Sequence, residues 1–167
     1  MGKTSIFRII SGLWKPKTGF VEMNAKSIFF ISQRPYLVPN GHIRQQLCYP
    51  NHCDRFEESA IVKMLKFVSL YDLIAKRGGL DCPSVIHGLS GGERQRIGMA
   101  RCLLHRPVFA LLDECSSAVS QDMTDRFFEQ CIEDNITLVT IAHDLELRHY
   151  HKQVLQISKG EWNIIRN

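Results

Sequence analysis

Short apolar runs alternate with amphipathic segments along most of the chain. Six runs rich in β-branched and aromatic residues predict β-strands at residues 19–23, 27–32, 108–113, 136–142, 153–158 and 162–165. The segments between several of them have the spacing of helices, and this alternation predicts an α/β fold. Lys159-Gly160-Glu161 separates the last two strands as a predicted turn, and such a short connection predicts a hairpin.

The middle of the chain, from residue 41 to residue 107, contains no predicted strand. Its apolar residues recur at helical spacing and Gly78-Gly79 interrupts them, as shown by Ile61, Met64, Leu65, Val68, Leu70 and Leu73. No internal repeat and no linker rich in Gly, Ser or Pro divides the chain. We therefore expect one domain over residues 1–167, with a sheet-forming core from residues 1–40 and 107–167 and a helical insertion at residues 41–106.

Composition and charge narrow the classes of protein to consider. The 167 residues are 44% hydrophobic and 23% charged, which is typical of a globular domain that needs neither metals nor disulfides to fold. A net charge of +4, spread along the chain, does not indicate a nucleic-acid surface. No apolar run is long enough to span a bilayer, so we expect any membrane connection to come through a partner or another segment. The six cysteines lack zinc spacing and are expected to be buried thiols.

A segment that begins at Leu89 has the pattern of an anion-binding helix start. Its sequence is Leu89-Ser90-Gly91-Gly92-Glu93-Arg94-Gln95-Arg96. Ser90 can cap the helix, and the bare backbone of the two glycines can approach a phosphate at the helix N-terminus. The alternative is an ordinary capping box between Ser90 and Glu93, which accounts for the helix start but not for the paired glycines or the Arg-Gln-Arg tail.

Polar residues follow three of the predicted buried strands. Asp113-Glu114 ends one strand, His143 follows another and Gln33 follows a third. Ligands of open α/β sheets bind at this edge, where an aspartate can hold Mg²⁺ and a glutamate can polarise a water molecule for attack on a γ-phosphate. Gln33 can bind a metal or orient a water molecule, or it simply begins a polar loop. The other six histidines are interpreted as surface or packing residues.

The first residues match part of a phosphate-binding loop. Gly2-Lys3-Thr4, followed by Ser5, corresponds to the last three positions of G-x-x-x-x-G-K-[ST]. In that loop the lysine meets the β- and γ-phosphates and the hydroxyl binds Mg²⁺. Three residues by themselves carry no weight, so the match matters only in combination with the segments above.

Taken in chain order, these segments are similar to the nucleotide-binding domain of ATP-binding-cassette (ABC) transporters, from the P-loop lysine onward. The resemblance implies a P-loop NTPase (RecA-like) parallel-sheet core with an inserted helical subdomain, without its N-terminal strands. It assigns Glu114 as the catalytic base, with the switch residue His143 and the Q-loop residue Gln33. It places the nucleotide against Gly2, Lys3, Thr4, Ser5 and the signature residues Ser90, Gly91, Gly92 and Glu93. It assigns Mg²⁺ to Thr4, Gln33 and the Walker B residue Asp113.

The resemblance also implies a function. Domains of this kind bind ATP and Mg²⁺ and pair head to tail with a second nucleotide-binding domain, so that each ATP lies between the Walker motifs of one and the signature of the other. Segments such as Gln33-Arg34-Pro35-Tyr36 and Leu112-Asp113-Glu114-Cys115-Ser116 look most like subfamily D, the peroxisomal fatty-acyl-CoA half-transporters. The partners expected are a second such domain and a transmembrane domain, with no nucleic acid. The expected location is the cytosolic face of an organellar membrane, peroxisomal before lysosomal or endoplasmic reticulum.

Two other functions stay open at this point. A soluble ABC ATPase of the DNA-repair or translation kind would carry a coiled-coil insertion or a second cassette, and neither fits in this chain. A truncated cassette fragment would only pair with a partner and would not hydrolyse ATP. Because Met1 stands inside the predicted P-loop, we expect the isolated chain to bind ATP weakly or not at all and to be inactive alone.

Overall fold

A parallel sheet of three strands forms the centre of the fold. The computed structural model describes residues 3–22, 28–83, 87–158 and 161–166. Strands β1 (Ile28–Ile31), β2 (Phe109–Asp113) and β3 (Thr137–Ile141) lie in the order β1-β2-β3, and both neighbouring pairs are parallel. The carboxyl ends of the three strands therefore lie at the same edge of the sheet.

Six α-helices in the described part of the chain surround or connect these strands. Parallel neighbours need crossover connections, and helices provide them here: four lie between β1 and β2, and one lies between β2 and β3. The helices are α1 (Lys3–Ile10), α2 (Ile43–Cys48), α3 (Glu58–Phe67), α4 (Tyr71–Lys76), α5 (Gly91–His105) and α6 (Gln121–Glu133). Short 3-10 helices cover Cys53–Arg55 and Glu146–Tyr150.

The sheet is covered on both faces. Successive side chains of a strand point to opposite faces, and those of β2 belong to two separate apolar clusters. Leu111 packs with Phe7 of α1 and with Ile141 of β3. Its neighbours Ala110 and Leu112 belong to the larger cluster, which includes residues of α2 to α6. This two-sided burial explains why β2 reads as a continuous apolar run.

The predicted helical character of the middle section is confirmed. The described residues from 41 to 106 form helices, turns and loops without a strand. Ser69 adopts a left-handed φ of 55° between α3 and α4, and Gly78 and Gly79, with φ of 107° and 88°, follow the end of α4. The division of the chain into a core and an inserted subdomain remains a prediction.

Five of the six predicted strands are present, with shorter bounds in the central sheet, and the first is wrong. Residues 19–22 form neither helix nor strand, and Met23 lies outside the described residues. Gly19 has a φ of 80° and Phe20 is 86% exposed, so this segment lacks the pairing and burial that β-propensity reflects. The C-terminal hairpin is confirmed, because β4 (Gln153–Ser158) pairs antiparallel with β5 (Glu161–Arg166). Of its predicted turn, Lys159-Gly160-Glu161, the first two residues lie outside the described residues, and Glu161 is the first residue of β5 rather than a turn residue because it pairs with Ser158.

The expectation of buried thiols is met for four of the six cysteines: Cys48, Cys102, Cys115 and Cys131. It is wrong for Cys53 and Cys82, which are free thiols but only half-buried. Burial raises the pKa of Cys115 to about 12, so its thiol stays protonated at neutral pH. None of the helices in the described part of the chain combines the length and the apolar character needed to cross a bilayer.

Candidate functional site

The carboxylate of Glu114 binds two side chains at the carboxyl edge of the sheet. Gln33 Nε2 donates a hydrogen bond to Glu114 Oε2 at 2.8 Å, and His143 Nε2 lies 3.1 Å from Glu114 Oε1. The three residues follow β1, β2 and β3 respectively, and parallel pairing brings these strand ends together. The predicted convergence of Gln33, Glu114 and His143 is therefore present in the fold.

The backbone of Glu114 is in an unusual conformation. Its φ is 50°, in the left-handed region that costs a non-glycine residue on the order of 1–3 kcal/mol and that clusters at functional sites. The amide of Glu114 donates to Ile141 O at 2.9 Å, which extends the β2–β3 pairing by one residue. Asp113 thus ends the strand in regular geometry, and the chain turns at Glu114.

Asp113 and the first turn of α1 form a neighbouring group. Thr4 Oγ1 donates to Asp113 Oδ1 at 3.4 Å, and Asp113 is 6% exposed. Burial, together with the charge of Glu114, raises the pKa of Asp113, whereas Thr4, Arg8 and Lys3 act in the opposite direction. Buried Phe7 anchors α1 against the sheet beside this group. The carboxylate therefore lies in a region where a bound cation would be favourable.

The oxygen atoms of this region suit Mg²⁺ better than a soft metal. Thr4 supplies a hydroxyl and Asp113 a carboxylate, which are in contact, and the amide oxygen of Gln33 is the third predicted ligand. Oxygen ligands of this kind are the ones that Mg²⁺ prefers. Within the described ranges, no group of three or more His, Cys, Asp or Glu side chains could hold a metal. A magnesium ion here would therefore rest on mixed oxygen donors, with the remaining positions available to water and phosphate.

The predicted phosphate-binding residues at the start of the chain lie at the N-terminus of α1. The helix begins at Lys3, so its first amides and the positive end of its dipole are at the same end as Thr4 and Ser5. Gly2 lies outside the described residues.

Ser90 and Glu93 form a complete capping box at the start of α5. The amide of Glu93 donates to Ser90 Oγ at 3.2 Å, and the amide of Ser90 donates to Glu93 Oε2 at 2.7 Å. The second bond is the main reason that the pKa of Glu93 is lowered. The capping alternative is thus part of the structure, and it is compatible with a ligand at the remaining amides.

The glycines and the arginines of this segment also have partners within the domain. A Cβ on Gly92 would lie 2.4 Å from the carbonyl oxygen of Ala118, whereas a Cβ on Gly91 would meet only the Ala118 Cβ at 3.9 Å. Arg94 Nε donates to Leu89 O at 3.1 Å, and Arg96 Nη1 donates to two carbonyls at the end of α3. Close packing alone therefore requires a glycine at position 92, but not at position 91.

The Ser90 end of α5 opens onto a different space from Glu114. Ser90, Gly92 and Glu93 line a cavity of about 540 Å³ together with the loop that precedes α6. Its lining does not include Gln33, Glu114 or His143. Of the two predicted phosphate-binding segments, only the one that begins at Ser90 lines this cavity, and the head-to-tail arrangement stays a prediction.

Two buried polar residues of α5 received no role from the sequence. Gln95 is 3% exposed and makes four hydrogen bonds to segments around Glu114. Arg101 is 5% exposed, donates to Gln46 O at 2.6 Å and Tyr36 O at 3.0 Å, and burial lowers its pKa to about 10. The sequence does contain a signal for both residues. On a helix, positions 95, 99 and 102 share one face, and positions 97, 101 and 104 share another. Gln95 and Arg101 therefore each interrupt a stripe of apolar residues, which indicates a buried polar side chain.

Comparison with known proteins gives a family for this chain. Residues 1–117 match the family described as ABC transporter. The chain is 37% identical over 169 residues to ABC transporter D family member 2 of Dictyostelium discoideum, covering 96% of this chain and 23% of that protein. It is 39% identical over 176 residues to ATP-binding cassette sub-family D member 1 of Drosophila melanogaster, with the same shares covered. The chain thus spans about a quarter of the length of these relatives.

A solved structure gives the same fold. A bacterial Atm1-family ABC exporter with ATP bound superposes with a TM-score of 0.76 at 22% sequence identity, over 95% of this chain and 30% of that one. Its likeness is one of fold, an α/β ABC ATPase domain with a parallel sheet. From the family match, the identities to subfamily D relatives and this fold, the chain belongs to the ABC transporter family, as an ATP-binding domain.

Proposed function

We propose that this chain is the ATP-binding and ATP-hydrolysing domain of an ABC half-transporter. The observation that carries the proposal is the Glu114 carboxylate, bound by Gln33 at 2.8 Å and by His143 at 3.1 Å beside the buried Asp113. An acid in this position can accept a proton from an attacking water molecule, provided that its neighbours keep it oriented.

Each of the neighbours has a separate task in this proposal. Thr4, Asp113 and Gln33 would hold Mg²⁺, and Gly2, Lys3 and Ser5 would lie against the phosphates. When bound, Mg²⁺ neutralises charge that develops on the β- and γ-phosphate oxygens. His143 and Gln33 each hold one oxygen of Glu114, and a carboxylate oxygen can accept a further hydrogen bond from an attacking water molecule.

The signature residues would act on a second domain. Ser90, Gly92 and Glu93 line a cavity whose lining does not include Glu114, and this supports a head-to-tail pair in which the signature residues Ser90, Gly91, Gly92 and Glu93 meet the nucleotide of the partner. Closure on ATP and its reversal after hydrolysis would then drive the transmembrane domain between two states.

The transported substrate and the membrane are inferred from the resemblance to subfamily D. The identities of 37% and 39% to relatives with that name support a half-transporter for fatty acids or acyl-CoA, on the cytosolic face of the peroxisomal membrane. Transport of another substrate across a lysosomal or endoplasmic-reticulum membrane would be the less favoured form of the same function.

The test uses a longer version of the chain. We define the extended chain as residues 2–167 fused behind the segment that precedes the glycine matching Gly2 in a subfamily D relative. Glu114→Gln in the extended chain is expected to keep ATP-dependent pairing, measured by light scattering, and to lose turnover by on the order of 10²-fold or more, since general base catalysis contributes that much. Glu133→Gln, an exposed change in α6, is the matched control.

The outcomes separate the functions under consideration. Hydrolysis by Glu114→Gln at the rate of the unchanged protein would refute Glu114 as the base. A lack of hydrolysis by the unchanged extended chain, with pairing retained, would support the cassette fragment that only binds a partner. Hydrolysis that is stimulated by acyl-CoA when the transmembrane domain is present, but not without it, would support the transporter.

A further inference from the structure

We infer that Gln95 is a positioning residue for ATP hydrolysis, which ties the backbones of Gln33 and Glu114 to the helix that begins at the signature. The inference rests on the proposed function of Glu114 and adds a residue that acts only through others.

One side chain joins three segments. Gln95 Nε2 donates to Gln33 O at 3.1 Å, to Glu114 O at 3.3 Å and to Ser117 Oγ at 3.0 Å. Its Oε1 accepts a hydrogen bond from the amide of Ala118 at 2.9 Å. The amide nitrogen carries two hydrogens for three acceptors, so at least one hydrogen is shared between two acceptors. Gln95 is thus saturated by the loops that follow β1 and β2.

These bonds set the spacing on which the Gln33–Glu114 contact depends. The side chains of Gln33 and Glu114 meet at 2.8 Å, and the carbonyls of the same two residues bind the same nitrogen of Gln95. The backbones at both ends of this contact are therefore held by the same buried side chain, that of Gln95. These bonds are partly buried, so the loss of Gln95 leaves the carbonyls of Gln33 and Glu114 without this donor, and the loops shift to regain partners.

The part of α5 around Gln95 is closely packed against neighbouring segments. Three residues before it, a Cβ on Gly92 would meet Ala118 O at 2.4 Å; three residues after it, a Cβ on Gly98 would lie 3.1 Å from Pro35 Cγ and 3.2 Å from Ile31 Cγ2. Positions three apart are neighbours on a helix surface. The same side of α5 therefore touches the segment that follows Glu114 and the segment around Gln33, with Gln95 between the two contacts.

Two variants separate the contribution of the side-chain nitrogen of Gln95 from that of its oxygen. Gln95→Met removes all four bonds at similar volume. Gln95→Glu keeps an oxygen for the amide of Ala118 but places a second oxygen against the carbonyls of Gln33 and Glu114. If those two carbonyls are what matters, Gln95→Glu fails as Gln95→Met does.

A second buried glutamine provides the control. Gln46 is fully buried, its Oε1 accepts from the amide of Val38 at 2.7 Å, and its Nε2 donates to Val38 O at 2.9 Å and Gly41 O at 3.3 Å. Gln46→Met therefore removes a comparable set of bonds between a helix and a loop, away from Glu114. Any effect common to Gln46→Met and Gln95→Met reports general loss of stability.

Two measurements complete the test. The first is the side-chain amide NMR signal of Gln33 in this chain, which is shifted by its bond to the Glu114 carboxylate and needs no ATP. The second is steady-state ATP hydrolysis by the extended chain, below the unfolding temperature of every variant. We expect both Gln95 variants to move the Gln33 signal toward its free position and to lower kcat by on the order of 10–10²-fold with KM changed by less than about threefold, since small displacements of catalytic groups have such effects.

Each result decides the inference. An unmoved Gln33 signal in Gln95→Met, or a kcat that falls equally in Gln46→Met, overturns it. A rise in KM with kcat unchanged also overturns it, because that pattern reports lost binding rather than misplacement. If the unchanged extended chain does not hydrolyse ATP, the proposed function fails, and the Gln33 signal alone then decides whether Gln95 positions this pair.

Discussion

The two glycines at the start of α5 offer a prediction with a built-in control. Gly91 and Gly92 are adjacent, both lie in the first turn, and an alanine at either place gains helix propensity of up to about 1 kcal/mol. Only Gly92 faces a carbonyl oxygen, because its Cβ would lie 2.4 Å from Ala118 O. We therefore predict that Gly92→Ala destabilises the domain and that Gly91→Ala does not.

The size of the effect follows from that contact. Real Cβ atoms essentially never approach another atom within 3.0 Å, so the helix or the Ala118 segment must move by at least about 0.6 Å. That segment is also tied by the amide of Ala118 to Gln95 at 2.9 Å and cannot move alone. Overpacking of this kind costs about 1–3 kcal/mol. The gain in helix propensity is common to both glycines, so we expect Gly92→Ala to be less stable than Gly91→Ala by about 1–3 kcal/mol. For Gly91→Ala, with an ordinary contact at 3.9 Å, we expect a change between none and a gain of about 1 kcal/mol.

Urea unfolding followed by circular dichroism measures both variants against the unchanged chain. For a domain of this size each kcal/mol moves the thermal midpoint by about 2–4 °C, so a thermal scan gives an independent value. Equal free energies of unfolding for the two variants would refute the close-contact argument. A pair of glycines needed only for the approach of phosphate would give that result, because neither methyl group would then disturb the unliganded fold.

Two further predictions concern buried groups on the same helix. Arg101→Met leaves one buried and one partly buried backbone carbonyl without this donor and should lower the free energy of unfolding by about 1–3 kcal/mol. Lys63→Met on the exposed face of α3 should change it by less than about 0.5 kcal/mol in the same urea titration. The pKa of His105 is lowered, chiefly by burial, from the ordinary value of 6.5, and Asn51 Nδ2 at 3.2 Å from Nδ1 fits the neutral ring. As the pH falls, the imidazole of His105 is therefore protonated in the unfolded chain before it is protonated in the folded one. The contribution of the neutral His105 to the free energy of unfolding is fully present above pH 6.5 and is lost as the pH falls through the lower pKa of the folded state. Unfolding titrations at pH 7.5 and 5.5 should show this loss, and His105→Gln should reduce it; an equal loss in both proteins would contradict the prediction.

The strand ends show what a sequence pattern can predict. An apolar run that stops at a polar residue determines which side chain stands at the edge of the sheet, and parallel pairing then brings those edges together. Gln33, Glu114 and His143 were placed in this way, although they are far apart along the chain. The distances themselves could not be predicted, because they depend on the register of β1 against β2 and of β2 against β3.

The failures have the same physical origin. Residues 19–22 have the composition of a strand, but a strand also needs a neighbour, and Phe20 is 86% exposed where none covers it. The need for glycine at position 92 depends on Ala118, which comes from a loop that the sequence does not place against α5. Local pattern identifies the elements, whereas contacts between elements decide which residues are indispensable.

Gln95 shows how these two kinds of information combine at the site. Its position within an apolar stripe indicates a buried polar group, and a buried amide must find partners. The partners turn out to be the backbone of Gln33 and Glu114 and the Ser117–Ala118 segment. The helix that begins at Ser90 is therefore not only a surface for a second domain. Because it packs on both loops that carry the proposed catalytic pair, a ligand or partner that displaces its N-terminus must also move Gln33 and Glu114 or break the bonds of Gln95.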